Sequence, residues 1–266
     1  MSRVTIEIKD HIAQVTFNRP EKMNALDLKQ FQAIIDAAAQ VERDKSVRVV
    51  VLNGAGRAFC AGIDISGFAD GGGAAGQSLI PRTHGIANMV QQVAWAWHEL
   101  SVPVIAAVHG VSFGGGLQIM LGADIKYVEP NTKLSILEMK WGIIPDMGGT
   151  QLMRHSVRGD IIRELTYTNR IFSGTEAVAY GFATHVSDDP LKDALALAAV
   201  IASKSPSAIV KAKKVLNAAP YLNQEEGLMM ESVEQDAIIL KKNQMEAVFS
   251  SMQKRPGNFE DYRDES

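Results

Sequence analysis

The segment Val104–Gly116 (VIAAVHGVSFGGG) sets three consecutive glycines, Gly114, Gly115 and Gly116, between a short apolar run and the start of a helix-forming stretch. Free N–H groups at a helix N-terminus attract negative charge, and glycine lets a ligand come close to the backbone. An anionic guest is therefore expected. A dinucleotide would need Gly-x-Gly-x-x-Gly in the first βα turn, and this chain opens on a hairpin pattern instead. A serine hydrolase fits better. Gly110-Val111-Ser112-Phe113-Gly114 matches the nucleophile elbow G-x-S-x-G, and His155 and His185 follow in the chain order that fold requires. Against it, the glycine run continues past the elbow.

Several elements must position this loop. Val4–Lys9 and Ile12–Asn18 alternate apolar and polar residues around Asp10-His11, which predicts a β-hairpin. Asp27–Arg43 has helical spacing with an acidic start. Val47–Leu52 and Val104–Val108 are short apolar runs, the pattern of strands buried on both faces. Residues 82–100 read as a helix, Ile125–Val128 and Lys133–Ile136 as strands, and Gly67–Gln77 as a mobile Gly/Ala loop. From about Thr150 the pattern is almost wholly helical, including one long stretch from Glu225 to Met252. The expected organisation is an α/β core over residues 1–186 and a helical region over 187–266. The lone Cys60 excludes an internal disulfide framework, and the net charge of -3 gives no footprint for nucleic acid. No apolar run reaches membrane-spanning length, and the opening MSRVTIEIKD reads as a strand and not as a leader; a cytoplasmic enzyme is the default expectation.

Five segments, in order along the chain, then become specific. Ala58-Phe59-Cys60-Ala61-Gly62-Ile63-Asp64-Ile65, followed by Gly110 to Leu117, closely resembles the signature of the crotonase (enoyl-CoA hydratase/isomerase) superfamily. Asn18 to Leu26 resembles that family's first CoA-contacting loop, Gly142 to Gln151 its active-site turn, Ser173–Ala177 with Tyr180–Ala183 its late helix and turn, and Gln253–Pro256 its tail. The resemblance implies an α/β fold, a spiral of ββα units with a C-terminal helical trimerisation region, working as a homotrimer or a dimer of trimers. It also implies an acyl-CoA substrate, with no cofactor beyond the CoA which that substrate carries. The loop's guest is then a thioester enolate, its oxygen held by the backbone N–H groups of Ile63 and Gly115. Each such preorganised donor is typically worth about 3 kcal/mol of barrier.

Proton transfer needs side chains. The family places carboxylates at three positions, occupied here by Gln118, Glu138 and Asp146. Best-known hydratases carry a glutamate where Gln118 stands; Gln cannot exchange a proton near neutral pH, though it can hold a water. Dienoyl-CoA isomerases of the family pair a glutamate and an aspartate where this chain has Glu138 and Asp146. A Glu/Asp pair can divide the roles of base and acid if its two pKa values are pushed apart. Double-bond migration is therefore favoured over hydration, with a non-catalytic acyl-CoA binder as a minor reading. CoA contacts are expected near Ala25, Ala61, Ile63 and Gly114, with Lys22, and Lys254 or Arg255 of a neighbouring tail, toward phosphate. Structural roles compete at each position: Asp146 as a helix N-cap, Glu138 in a salt bridge, Gln118 as a buried hydrogen-bonding residue, Asp64 as a loop tie, His109 as a core histidine. Trp95 and Trp97 are most simply core residues, with an acyl-pocket wall as the alternative.

Overall fold

The computed structural model describes residues 2–67 and 78–262; all but the first residue of the Gly67–Gln77 loop lies outside that range. Strands β1 (Val4–Lys9) and β2 (Ile12–Phe17) form the expected hairpin. Its turn residues Asp10 and His11 both have positive φ, 50° and 66°, the pairing that a tight two-residue turn needs to match strand twist. Helix α1 (Leu28–Arg43) starts where Asp27 Oδ1 accepts the Gln30 N–H at 2.7 Å, so the acidic start is an N-cap.

Strands β3 (Val49–Gly54), β4 (Val104–Val108), β6 (Ile125–Val128) and β9 (His185–Val186) continue the sheet in the order β1-β2-β3-β4-β6-β9, parallel from β2 onward. A second sheet holds β5 (Val111–Phe113), β7 (Lys133–Ser135) and β8 (Phe172–Ser173). Thus β4 and β5, then β6 and β7, each give one strand to each sheet. This alternation is the ββ spiral expected from the sequence, and α3 (Gly115–Leu121) follows the β4–β5 pair.

The apolar runs of β3 and β4 are explained by cover on both faces. On one face Val50, Leu52, Val104 and Ala106 join a core with α1 and α2 (Met89–Glu99). On the other, Val49, Val51, Ile105 and Ala107 pack against Ala194, Ala198 and Ala202 of α7 (Pro190–Ala202). Small alanines let that helix lie close on the sheet. The chain also contains α4 (Gly149–Met153), α5 (Gly159–Thr168), α6 (Gly174–Tyr180), α8 (Pro206–Ala218), α9 (Gln224–Asp236) and α10 (Lys242–Met252). No single helix among the described residues is long and apolar enough to cross a membrane.

Two helical expectations are corrected. The helix read over residues 82–100 begins only at Met89, because Gly85 sits at φ 59° and Asn88 with Gln91 forms a capping box that sets the start. The stretch from Glu225 to Met252 is two helices, broken where Leu240 adopts φ 60°.

Helix α8 is anchored to the core by one buried cation. Lys213, 7% exposed, donates from Nζ to Val102 O (3.0 Å) and to Asp124 Oδ2 (2.9 Å), and the same carboxylate oxygen accepts the Val104 N–H at 2.7 Å. Lys213→Met would strand a carboxylate and a carbonyl already withdrawn from water. We expect it to lower unfolding stability by about 3 kcal/mol, read from urea denaturation, whereas exposed Lys192→Met should change little.

Candidate active site

The site is assembled from segments far apart in sequence. Residues 60–64 lie between β5 and the 23–26 segment, bonded to both. On one side Cys60 N–H donates to Val111 O and Phe113 N–H to Cys60 O, each at 3.1 Å; on the other, Leu26 N–H donates to Gly62 O and Asp64 N–H to Leu26 O, each at 2.8 Å. Gly62 makes this possible: it has φ 85°, and a Cβ there would lie 2.6 Å from Phe113 O. That same Cβ position is 3.8 Å from the Gly115 nitrogen, so the two loops touch beside the N-terminus of α3. The N–H groups of Ile63 and Gly115 have no hydrogen-bond acceptor among the described residues. Both line one cavity of about 760 Å³. Two unspent donors side by side, one at a helix start, are an oxyanion-binding arrangement.

Glu138 reaches the same cavity from the end of the second sheet. It is 6% exposed. Its Oε1 would lie 3.3 Å from a Cβ on Gly114, the residue before the Gly115 donor, and Gly114 itself sits at φ 49°. The Glu138 carboxyl forms no ion pair, which removes the salt-bridge reading for the described residues. Burial raises its pKa above the usual carboxylate range, and the charge of Asp146 raises it further, partly opposed by hydrogen bonds.

Asp146 is half-buried and does not line the cavity; burial raises its pKa as well. It is not a helix cap: α4 is capped by Gly148, with no side-chain cap bond. Gln118 is placed differently from the expectation of a substrate contact. It is 2% exposed and absent from the cavity wall, because its amide is spent internally. Nε2 donates to Glu138 Oε1 at 2.6 Å, while Oε1 accepts the N–H groups of Met147 (2.8 Å) and Gly149 (2.9 Å).

The remaining expected contacts, Lys22, Ala25, Ala61 and Gly114, all line the cavity. Arg255 forms an ion pair with Glu246 of its own chain, Nη2 to Oε2 at 2.9 Å. Asp64 ties its loop: its Oδ2 accepts from Arg19 at 2.8 Å, and the Ser66 hydroxyl and Arg19 hold its carboxyl below the usual range. His109 bonds through Nε2 to Gly56 O at 2.9 Å and stands outside the cavity. Trp97 is fully buried; Trp95 packs near Gly148, just beyond Asp146.

Sequence reasoning missed Arg19, which also meets Asp27 (3.4 Å) and so fastens the two CoA-side loops together. It also missed Trp141 and Ile143, exposed apolar residues that wall the cavity just after Glu138. A Trp and an Ile left at the surface next to a buried carboxylate are a signal that only the structure displays. The hydrolase reading loses its basis: Ser112 is fully buried in the middle of β5, its hydroxyl without a partner among the described residues. His185 stacks on Tyr127 and His155 on Tyr221.

Comparison with known proteins agrees with this geometry. The enoyl-CoA hydratase/isomerase family model matches residues 7–263. A peroxisomal Δ(3,5)-Δ(2,4)-dienoyl-CoA isomerase from Arabidopsis thaliana is 32% identical over 257 residues, 93% of this chain and 92% of that protein. An (E)-benzylidenesuccinyl-CoA hydratase from Thauera aromatica is 30% identical, covering 85% of this chain and 86% of its own. The crystal structure of an enoyl-CoA hydratase from Bacillus anthracis superposes with a TM-score of 0.86 at 28% identity, over 97% of this chain and 98% of that one. With backbone donors, buried glutamate and whole-chain similarity in agreement, this chain belongs to the enoyl-CoA hydratase/isomerase family.

Proposed function

We propose that the enzyme moves a double bond along an enoyl- or dienoyl-CoA chain, with Glu138 and Asp146 as its proton carriers. The observation that carries this reading is the partner of Glu138: a neutral amide, Gln118, whose donors and acceptor already serve the protein. Water addition by two carboxylates would need an ionisable group there. The 32% identity to a dienoyl-CoA isomerase supports the same reading.

In the proposed step the thioester oxygen lies against the Ile63 and Gly115 N–H groups. Glu138 takes a proton from the carbon next to the thioester carbonyl; the C–H electron pair flows into the conjugated system and the oxygen takes up the charge. Asp146, further along the chain, returns a proton at the distal carbon. Both carboxyls are raised by burial, so one ionised and one protonated group coexist closer to neutrality than free carboxylates would. We also propose a homotrimer or dimer of trimers, supported by exposed apolar side chains on the late helices, among them Leu216, Leu228, Met229 and Met252. Sedimentation should give a multiple of three subunits; a monomer at micromolar concentration would exclude it.

Mass spectrometry of enoyl-CoA and 3,5-dienoyl-CoA thioesters incubated in heavy water decides the reaction. A shifted double bond with deuterium uptake is the expected product; gain of a whole water would make the enzyme a hydratase. Glu138→Gln should lower kcat by about 10²-fold or more. Asp146→Asn should block double-bond migration yet leave exchange next to the thioester. The rate should be bell-shaped in pH, with both limbs above the ordinary carboxylate range.

Stability carries the same signature. A carboxyl raised in the folded state binds its proton more tightly there than in the unfolded chain. That stabilisation is complete below the unfolded-state pKa and disappears as pH rises through the folded-state value. The melting temperature should therefore fall on going upward through that window, and Glu138→Gln should flatten the fall.

A further inference from the structure

Gln118 is invisible to substrate yet makes three hydrogen bonds, and all three end on the catalytic apparatus. Its Nε2 reaches Glu138 Oε1 at 2.6 Å; its Oε1 gathers the N–H groups of Met147 and Gly149, which flank the turn that follows Asp146. The orientation of this amide is forced by chemistry. Turned over, it would set an NH₂ against two N–H donors and an oxygen against a carboxylate. The contact is also tight, since a Cβ on Gly149 would lie 2.7 Å from Gln118 Oε1.

The two oxygens of Glu138 are thereby made different. Oε1 is held by the amide. Oε2 is buried and has no partner among the described residues. A buried carboxylate oxygen left bare costs stability, and in this cavity it is the lone pair available to a C–H proton. We infer that Gln118 is a positioning residue that fixes Glu138 Oε2 as the proton-transferring oxygen and locks that carboxyl to the turn carrying Asp146. The inference rests on the proton-transfer reading of the site. In the step, Oε2 accepts the proton, the C–H pair forms the enolate, and the same count of protons returns to carbon.

A glutamate at position 118 would behave differently. One of its oxygens could still accept the Met147 and Gly149 N–H groups, but the other would face Glu138 Oε1 at the distance of a shared proton. One of the two carboxyls would then stay protonated to a higher pH. Few other charges face Glu138. Helix α3 brings no ionisable residue, and Asp146 is the group across the turn. Lys140 on its own turn and Asp160, Arg163 and Glu164 on α5 are exposed, while Glu21, Lys22 and Asp64 line the cavity.

Two variants separate holding the turn from setting the carboxyl: Gln118→Glu keeps the acceptor for the two N–H groups, and Gln118→Met removes every bond. The Glu138 carboxyl of the free enzyme is followed by ¹³C NMR titration, with Glu138→Gln identifying its signal. Deuterium exchange into a 3,5-dienoyl-CoA gives kcat and KM across pH. In both variants the carboxyl should titrate higher than in the wild type, and the acid limb of kcat should move with it. At neutral pH kcat should fall at least roughly tenfold while KM stays within about twofold. Gln118→Glu should melt at nearly the wild-type temperature. A Glu138 signal unmoved in both variants, or a rate loss equal at every pH, would overturn the positioning role. If the wild type exchanges no deuterium with any thioester, the proposed reaction fails, and the carboxyl titration still decides the role of Gln118.

Discussion

The structure depends on one close approach of backbone to backbone. Residues 60–64 are bonded on both sides, to β5 and to the 23–26 segment. A strand saturated on both edges normally has no donor to spare. Here Gly62, at φ 85°, breaks the regular alternation beside Phe113, and the Ile63 N–H is left unspent next to that of Gly115. Buried or half-buried N–H groups without acceptors are costly, so the fold around them must be stiff enough to keep them from closing on each other or on water-filled alternatives. The parallel pairing of Cys60 with Ser112, the pairing of Leu26 with Ile63, and the Arg19–Asp64 ion pair supply that stiffness.

A second strain lies in the carboxyls. Glu138 is removed from water with only one side-chain hydrogen bond, and its neighbour Asp146 adds a like charge. Replacing either by an amide would make a more comfortable interior. The cost is tolerated because the surrounding sheet has both of its apolar faces covered by helices, and that burial outweighs a few unfavourable polar atoms. An acid held above its ordinary pKa beside bare N–H donors is useful only if something brings a proton-bearing carbon between them. Stability is therefore conceded at the few atoms that do the chemistry.

How far the sequence could be read follows from which interactions are local. The Asp10-His11 turn, the doubly buried strands and the Asp27 cap are written in neighbouring residues, and they were legible. The glycine run before α3 was legible too, because a helix N-terminus is a local object. The partnership of Ile63 with Gly115 is not local: it depends on bridges between residues about fifty apart, and only the family resemblance pointed to it. The same holds for Gln118. Its spacing from Glu138 marks it as close to the site, but nothing in the chain says that its carbonyl would meet Met147 and Gly149 instead of a substrate. Helix boundaries failed where one residue with positive φ, Gly85 or Leu240, outweighed a favourable apolar pattern.

The division of labour in this site explains how one scaffold can host different reactions. The enolate is stabilised by backbone atoms, which no side-chain substitution alters directly. The fate of the enolate is set by very few side chains, and here by the charge state of a single position beneath Glu138. A neutral amide there can hold one orientation at every pH, since it gives up no proton and gains none. It therefore turns Glu138 into a carrier with one working oxygen and leaves the other end of the proton path to Asp146. An ionisable residue at the same place would add a second titrating group, and with it a second way of activating whatever lies above the donors. What the chain can do next with an enolate is thus decided below the cavity floor, by a residue that never touches the substrate.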